Sequence, residues 1–276
     1  MGEAADLYAV VGHPVGHSKS PVIHRCFARQ TGQHIDYVLI DIPPGHFVER
    51  LRDFRGRGGR GVNVTLPYKL EAYEFADRVT QRARSAGAVN TLAWQADGGV
   101  LGDNTDGAGL VADLENNLGV ALSGRRILLL GAGGAARGAL GPLLERAPST
   151  VVIANRTTGK AVELAGRFKG SGDVSASDFD DLEGSFDIIV NATSASLAGD
   201  IPPVPETVVG ADTVCYDMMY RKGLTVFLQW ARDRGAAVLA DGAGMLVEQA
   251  AESFELWRGV RPDTGAALAE IRALLC

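Results

Sequence analysis

Short apolar runs alternate with helix-like patterns almost from one end of the chain to the other. Strand-length apolar runs lie at residues 7–12, 35–42, 61–66, 126–130, 150–154, 186–193, 212–218 and 236–241. Apolar residues recur with a helical period at 21–32, 45–55, 105–118, 134–146, 158–168, 243–258 and 263–274. The stretch "ADGG" at 96–99 predicts a β-hairpin. This alternation is typical of α/β proteins whose parallel sheets are covered by helices on both faces.

The strand–helix pattern restarts at "RRILLLGAGGAARGAL", near residue 126. A chain of 276 residues has room for one or two domains at about 150 residues each. We therefore predict a domain break before this restart, with the helix from residue 105 and the turn "SGRR" as the linker.

The composition and net charge of the chain argue against nucleic-acid and membrane partners. The net charge is −6, which argues against a nucleic-acid partner, because such proteins usually carry a basic face. The stretch "RGRGGRG" at 55–61 therefore predicts a solvated turn, although it resembles an RNA-binding box. No apolar run approaches the roughly 20 residues that cross a bilayer, so we expect no membrane partner. Three widely separated cysteines, Cys26, Cys215 and Cys276, suggest reduced thiols and a cytoplasmic protein.

The strongest motif derived from physics is the glycine-rich turn in "ILLLGAGGAARGAL". It fits G-x-G-x-x-A, with Gly131 for the tight turn, Gly133 for close approach of a pyrophosphate and Ala136 for helix–strand packing. The helix that follows would offer N–H groups and a partial positive charge to phosphates. A dinucleotide site is predicted, and a turn that only packs tightly is the alternative. The predicted contacts in this turn are Gly131, Ala132, Gly133, Gly134 and Ala135.

The end of the next strand indicates which dinucleotide is bound. NAD-binding domains usually carry an acid there to hold the ribose 2′-hydroxyl. This chain instead has Asn155, Arg156 and Thr157, followed by Lys160 one helical turn later. Arg156 could hold a 2′-phosphate through paired N–H donors, so NADP is favoured over NAD. The alternative is that both cations are ordinary exposed charges at a helix start, where cations are mildly unfavourable.

Polar residues gather at the predicted strand ends of the first domain, in "GHSKS", "NVTLPYK", "VNT" and "GDNTDG". Such hydrogen-bonding groups suit a small ligand rich in hydroxyls, and they are Ser18, Ser20, Asn63, Thr65, Asn90 and Asp106. Lys69 and Asp106 are the candidate proton carriers. Each residue also has a structural alternative: Ser20 and Asp106 could cap helices, and Asn63 and Thr65 could satisfy buried backbone groups. His13, His17 and His24 lack a second ligand cluster, so no metal is predicted.

With these residues in view, the chain resembles the shikimate dehydrogenase family. The resemblance covers nearly the whole chain and rests on ordered motifs, among them "GHPVGHSKSP", "GVNVTLPYK", "AGAVNTL", "GDNTDG", "GAGGAARG", "NRT", "NAT", "YDMMY" and "DGAGMLVEQAA". It implies an α/β fold of two domains with a cleft between them. A substrate domain with a mostly parallel sheet would span 1–105 and 240–276, and a Rossmann-type NADP domain would span 106–239.

The resemblance also implies an activity and roles for individual residues. The activity is reversible NADP-dependent reduction of 3-dehydroshikimate to shikimate, with Lys69 and Asp106 as the catalytic pair. Ser18 and Ser20 would hold the substrate carboxylate near Tyr220. The implied ring-hydroxyl binders are Asn63, Thr65, Asn90, Asp106 and Gln249. The implied neighbours of the ribose and nicotinamide are Ala192, Thr193, Met218, Gly242 and Met245, and the implied 2′-phosphate clamp is Asn155, Arg156, Thr157 and Lys160.

Some alternatives stay open within and beyond the family. The nearest is a relative that also oxidises quinate, often with NAD, and further ones are a folate-linked dehydrogenase and a nucleotide-sensing protein. His13 stands where the family often has asparagine, and Ser196 where glycine is often found. A monomer or a homodimer is expected.

Overall fold

The computed structural model describes residues 5–193, 195 and 199–275. Contacts between residues divide the chain into two compact units. The first unit comprises the residues up to Gly109 together with Val247–Leu274, and the second comprises Leu110–Leu246. Each unit is built on its own six-stranded sheet within the described residues. The prediction of an α/β fold with two domains and mostly parallel sheets is confirmed.

The first unit has a mixed sheet in the order β2-β1-β3-β5-β6-β4. Its strands are β1 (Asp6–Gly12), β2 (Ile35–Asp41), β3 (Gly59–Val64), β4 (Arg78–Val79), β5 (Thr91–Trp94) and β6 (Val100–Asp103). The helices from this part of the chain are α1 (Ser20–Thr31), α2 (Phe47–Gly56), α3 (Lys69–Phe75), α4 (Gln81–Ala86) and α5 (Asp106–Ala112). β1 pairs in parallel with β2 and β3, whereas β5 is antiparallel to β3 and β6, as expected for the predicted hairpin.

Helix α1 begins one residue earlier than predicted. Its N-cap is Lys19, and Ser20 is already its first helical residue, so the alternative that Ser20 caps this helix is wrong. The backbone N–H of Ser20 instead donates to the hydroxyl of Ser18 (3.3 Å). Gly32 ends the helix in the left-handed conformation, with φ of 64°, which glycine adopts without strain.

Strand β3 ends at Val64, two residues before the predicted end. The next two residues still form backbone hydrogen bonds to β1 and to the residue after it. Thr65 N donates to Val11 O in β1, and Leu66 O accepts from His13 N. A turn nevertheless begins at once, because Tyr68 N donates back to Thr65 O (3.1 Å). This turn leads directly into α3, whose first residue is Lys69.

The second unit has a fully parallel sheet in the order β12-β11-β10-β7-β8-β9. Its strands are β7 (Arg126–Leu130), β8 (Thr150–Ala154), β9 (Val174–Ser177), β10 (Phe186–Asn191), β11 (Val209–Asp217) and β12 (Val238–Asp241). Its helices are α6 (Gly134–Leu144), α7 (Thr158–Arg167) and α8 (Val226–Asp233). The strand order reverses between β7 and β10, and open α/β sheets bind ligands at the carboxyl ends of the strands at such a point.

The central strand of this sheet is buried on both faces. Ile127 and Leu129 belong to one hydrophobic core, whereas Leu128 and Leu130 belong to the core on the opposite face. Both faces are therefore covered, which explains why β7 is an uninterrupted apolar run and why the sequence predicted its bounds correctly.

Two helices close the chain, α9 (Ala243–Arg258) and α10 (Gly265–Leu275). Most of α9 belongs to the first unit, where Trp257 stacks on Tyr8 at 4.7 Å between ring centres. The indole N–H of Trp257 donates to the backbone oxygen of Leu92 in β5 (3.1 Å). Across the described part of the chain, no helix combines the length and the apolar character needed to cross a bilayer.

Candidate active site

Lys69 and Asp106 form an ion pair at the start of two helices. Lys69 Nζ lies 2.5 Å from Asp106 Oδ2, with the side chains 28% and 12% exposed. The other carboxylate oxygen, Oδ1, accepts from Asn90 Nδ2 (2.8 Å). The structure thus brings together the two predicted proton carriers and one predicted substrate binder. The pair is therefore mostly buried but still partly accessible from solvent.

Backbone hydrogen bonds hold the segments that carry these three side chains. Val89 N donates to Lys69 O, and Asn90 N donates to Asp103 O, each at 2.9 Å. The N–H of Thr105 donates to Asn90 Oδ1 (2.9 Å), so the amide nitrogen of Asn90 must face Asp106. An ordinary peptide N–H can only donate, and this fixes the orientation of the Asn90 amide.

A buried ion pair anchors the segment just before Asp106. Arg82 donates to both oxygens of Asp103, at 2.8 and 2.5 Å, and Thr80 donates a third hydrogen bond (2.5 Å). Burial opposes ionisation of Asp103, which is 2% exposed, but the bonds from Arg82 outweigh it and hold the pKa of this carboxyl below its usual value. The clamp fixes the end of β6, from which the chain runs directly to Asp106.

We predict that Arg82→Gln destabilises the protein by about 3–5 kcal/mol, because it leaves the buried carboxylate of Asp103 unpaired. Arg78→Gln is the matched control, since its partner Asp97 is exposed and such pairs contribute about 0–1 kcal/mol.

The effect of Arg82→Gln should also depend on pH. Because the folded-state pKa of Asp103 is depressed, the stabilisation from its ionised carboxylate is present above the ordinary value of 3.8 and is lost as pH falls through the folded-state pKa. Thermal melts should therefore show a large Arg82→Gln deficit at neutral pH that narrows in acid. Equal deficits for both variants would contradict this.

Ser18, Ser20 and Thr65 present hydroxyls in the first unit. Ser18 Oγ donates to Ser20 Oγ (3.1 Å), so the predicted carboxylate-binding serines are adjacent. Ser20 is 6% exposed. The hydroxyl of Thr65 makes no hydrogen bond to any described residue and is free for a ligand.

Asn63 and Gln249 differ from the other predicted hydroxyl binders. Both are buried, and Gln249 Oε1 accepts from the hydroxyl of Thr105 (3.4 Å). The Asn63 side chain is engaged at both ends by protein partners: its Oδ1 faces Tyr37, and its Nδ2 faces Ser253. Tyr220 belongs to the second unit, where burial and the carboxylate of Asp241 raise the pKa of its phenol. The role of Tyr220 stays a prediction.

The glycine-rich turn in the second unit leaves the start of α6 open. Gly131 has φ of +105°, a conformation that favours glycine. At Gly133 and Gly134 an added Cβ would meet nothing within 4 Å, and no side chain caps the helix. The first N–H groups of α6 therefore have no capping side chain, and the space beside Gly133 and Gly134 is open, as anion binding at a helix N-terminus requires.

A cavity of about 980 Å³ lies beside this turn. Its lining contains most of the predicted cofactor residues, including Gly131, Ala132, Gly133, Gly134, Asn155, Arg156, Thr157, Lys160, Ala192 and Thr193. It also contains Arg137 and Arg167, which the sequence analysis missed. Arg137 follows Gly134 by one helical turn, a spacing that could have identified it.

Arg156 and Lys160 are exposed cations at the end of β8 and the start of α7. Neither side chain makes an ion pair or a hydrogen bond within the described residues. Positive charge at a helix N-terminus is unfavourable unless an anion binds there. Together with the absence of an acid at this strand end, the arrangement fits a phosphate on the ribose.

Two glycines among the predicted cofactor residues lie close to other predicted cofactor residues. A Cβ added to Gly131 would lie 3.2 Å from both Ala192 O and Thr193 Cγ2, which places those residues against the turn. A Cβ added to Gly242 would lie 2.2 Å from Met218 O. Met245 is buried in the core of the second unit and is 8% exposed.

We predict that Gly242→Ala costs about 1–3 kcal/mol of stability, because its Cβ would collide with backbone rather than with a flexible side chain. Gly166→Ala is the control, since an added Cβ there meets nothing within 4 Å in helix α7. That change should be neutral or stabilising by up to about 1 kcal/mol. Chemical denaturation of both variants checks the opposite signs, and a neutral Gly242→Ala would show that Met218 can move aside.

No group of three or more metal-ligating side chains occurs among the residues that the structure describes. His13 instead contacts Asp41, with Nδ1 2.6 Å from Oδ1. Ser196, the other departure noted in the sequence, lies outside the described residues.

Comparison with known proteins gives consistent matches. Three family models match the chain: a shikimate dehydrogenase substrate binding domain at residues 10–92, a shikimate / quinate 5-dehydrogenase model at 113–198, and a shikimate 5′-dehydrogenase C-terminal domain at 242–272. A shikimate dehydrogenase (NADP(+)) from Nitrosospira multiformis is 58% identical over 272 residues, which is 98% of each chain.

Solved structures match along nearly the whole chain as well. An Ael1 enzyme from Pseudomonas putida is 50% identical, with a TM-score of 0.93, and the match covers 97% of this chain and 98% of that one. The shikimate 5-dehydrogenase of Thermus thermophilus, crystallised with NADP(H) and shikimate, is 34% identical with a TM-score of 0.87. That match covers 98% of this chain and all of the other, at 100%.

Proposed function

Since the chain belongs to the shikimate dehydrogenase family, we propose that it catalyses the reversible NADP-dependent reduction of 3-dehydroshikimate to shikimate. The family resemblance inferred from the motifs is confirmed, as is the assignment to NADP-linked oxidoreductases. The residue roles that follow are proposals for this chain.

The observation that carries the proposal is the pair of Lys69 and Asp106 at 2.5 Å. A cation and a carboxylate in contact can pass a proton to or from a hydroxyl that binds beside them. Thr65, with its free hydroxyl, and Asn90, which donates to Asp106, lie in the same unit as the pair. The ion pair and these two hydrogen-bonding side chains suit a small substrate whose hydroxyls are each bound by a specific hydrogen bond.

The proton transfer can be assigned to named atoms. In shikimate oxidation, the reacting carbon loses hydride and its hydroxyl loses a proton, and Lys69 Nζ takes that proton when deprotonated. Asp106 accepts a hydrogen bond from Lys69 at Oδ2 and one from Asn90 at Oδ1, which fixes the ammonium in position. In the reduction direction the Lys69 ammonium returns the proton and polarises the carbonyl oxygen.

The residues of the second unit fit NADP. The open start of α6 would hold the pyrophosphate, and Arg156 with Lys160 would hold the 2′-phosphate. The fit rests on the uncapped helix, the open space at Gly133 and two cations without protein partners in the described chain. When bound, NADP supplies the hydride acceptor or donor.

The hydrogen-bonding side chains of the site would orient the substrate. The adjacent hydroxyls of Ser18 and Ser20 would hold the carboxylate, and Thr65 would take a ring hydroxyl. Gln249 would contribute a further hydrogen bond to the ring.

Product analysis tests this proposal. The protein is incubated with shikimate and NADP⁺, and the mixture is analysed by mass spectrometry and by absorbance in the reduced-nicotinamide band. We expect a product lighter by two hydrogen atoms, formed in equal amount to NADPH. NADPH without that product, or no reaction with active relatives run in parallel, would refute the proposal.

The proposed setting is the cytoplasm. The thiols of Cys26 and Cys215 are buried and unpaired, and burial raises the pKa of Cys215 to about 12, which leaves it unreactive. A monomer or homodimer stays a prediction, which sedimentation can settle.

A further inference from the structure

Asn63 has no hydrogen-bonding capacity left for a ligand. Its Oδ1 lies 2.8 Å from Tyr37 Oη and 3.2 Å from His24 Nε2. Its Nδ2 lies 3.1 Å from Thr91 Oγ1 and 2.9 Å from Ser253 Oγ. Nδ2 also lies 3.5 Å from the backbone oxygen of Asn90, a longer contact. A side-chain amide has two donor hydrogens and two acceptor lone pairs, so the four shorter contacts already use them all.

The direction of these hydrogen bonds is fixed by a backbone carbonyl. We assign the one proton of Ser253 to Gln249 O (3.0 Å), which leaves its oxygen to accept from Asn63 Nδ2. Asn63 therefore presents Oδ1 to Tyr37 and His24, and both must donate. In this assignment His24 carries its proton on Nε2.

The network continues from Asn63 to the catalytic pair. Thr91 accepts from Asn63, and its own proton has two acceptors, Asn90 Oδ1 at 3.0 Å and Ser253 Oγ at 2.8 Å. Asn90 then donates from Nδ2 to Asp106 Oδ1 (2.8 Å). A connected path thus runs from His24 through Asn63 and Asn90 to the carboxylate that holds Lys69.

We propose that His24 and Asn63 are positioning residues for the catalytic pair, and that Asn63 does not contact the substrate. This inference rests on the proposed function and revises the expectation that Asn63 binds a ring hydroxyl. His24 acts by donating from Nε2 to Asn63, which keeps the Asn63 amide in the one orientation that Ser253 and Thr91 can accept. The Thr91 hydroxyl that accepts from Asn63 is thereby placed to donate to Asn90 Oδ1, beside the N–H of Thr105, and Asn90 in turn holds Asp106.

The surroundings of His24 indicate that its N–H donor, rather than packing of the ring, explains a histidine at this position. It is 0% exposed and stacks on Tyr37 at 4.2 Å between ring centres. Its Nδ1 has no hydrogen-bond partner among the described residues. A buried unpartnered polar atom lowers stability, so packing alone would be served better by phenylalanine. Burial lowers the pKa of His24 to about 3, which keeps the ring neutral and able to donate from one nitrogen only.

Kinetics of substituted enzymes test the proposal. His24→Phe keeps the ring and removes the donor, and His24→Gln keeps an N–H at a similar distance along the side chain. Thr31→Val is the matched control, because its hydroxyl makes an ordinary bond to Phe27 O (2.7 Å) in the same helix and has no part in the network. For His24→Phe we expect a melting temperature no lower than wild type, kcat reduced about tenfold and KM for shikimate little changed.

The pattern of the remaining results decides between explanations. His24→Gln should recover most of the lost kcat, and Thr31→Val should match wild type. A raised KM with unchanged kcat, or wild-type kinetics in folded His24→Phe, would overturn the proposal. Failure of the wild-type enzyme to oxidise shikimate would instead refute the proposed function.

A second readout does not depend on activity. In ¹⁵N-histidine NMR of the wild-type protein, we expect His24 to show a proton on Nε2 and a bare Nδ1 throughout neutral pH. A proton on Nδ1 would reverse the hydrogen bond to Asn63 and would overturn the proposal even if the enzyme is active.

Discussion

We expect Lys69→Ala to lower kcat for shikimate oxidation by about 10²–10⁴-fold, the usual contribution of a positioned proton carrier. The reason is that Lys69 contacts Asp106 at 2.5 Å and provides the ammonium of that pair. The fold should persist, because Asp106 keeps its hydrogen bond from Asn90 when the lysine is removed. Steady-state rates with saturating NADP⁺ and a thermal melt provide the measurement.

Two further variants sharpen this result. Asp106→Asn keeps the shape of the side chain but removes the charge that holds Lys69, so kcat should also fall, with a smaller loss. Lys169→Ala removes an exposed lysine of the second unit and should leave kcat unchanged. If Lys69→Ala is folded and retains more than a tenth of the wild-type kcat, Lys69 does not carry the proton.

The second large effect is expected at the cofactor site. Arg156→Ala should lower kcat/KM for NADP⁺ by about tenfold to hundredfold, because hydrogen bonds to charged groups contribute about 1.5–3 kcal/mol. The value for NAD⁺, which lacks the 2′-phosphate, should stay near that of wild type. Initial rates with each cofactor at fixed shikimate measure the ratio.

Two control variants distinguish the contribution of the paired N–H donors of Arg156 from that of its positive charge. Arg156→Lys keeps the charge and loses the paired donors, so its kcat/KM for NADP⁺ should fall between wild type and Arg156→Ala. Arg232→Ala removes an exposed arginine that pairs with Asp233 outside the cavity, and should leave both values unchanged. Equal losses with NADP⁺ and NAD⁺ in Arg156→Ala would mean that Arg156 does not contact the 2′-phosphate.

The features predicted well from the sequence are those set by local patterns. The bounds of β7 follow from an apolar run buried on both faces, and the glycine-rich turn follows from residue spacing. Shorter elements were missed, because α3 and α4 have seven and six residues and complete fewer than two helical turns. The polar edge strand β9 gave no apolar run to detect.

The hydrogen bonds and ion pairs that hold the site residues in place could not be predicted, because they join residues far apart in the chain. Arg82 reaches Asp103 across 21 positions, and Asn63 reaches Ser253 across 190. A sequence shows that Asn63 is polar and near a strand end, which suits a ligand. Only the structure shows that its four hydrogen-bonding positions are already used.

The most direct test of the account is the initial rate of nicotinamide reduction by the wild-type enzyme with shikimate or quinate, each with NADP⁺ or NAD⁺. We predict a high kcat/KM for shikimate with NADP⁺ and much lower values for the other three pairs. Comparable values with quinate or NAD⁺ would contradict the assignment and place the chain among the broader shikimate and quinate dehydrogenases.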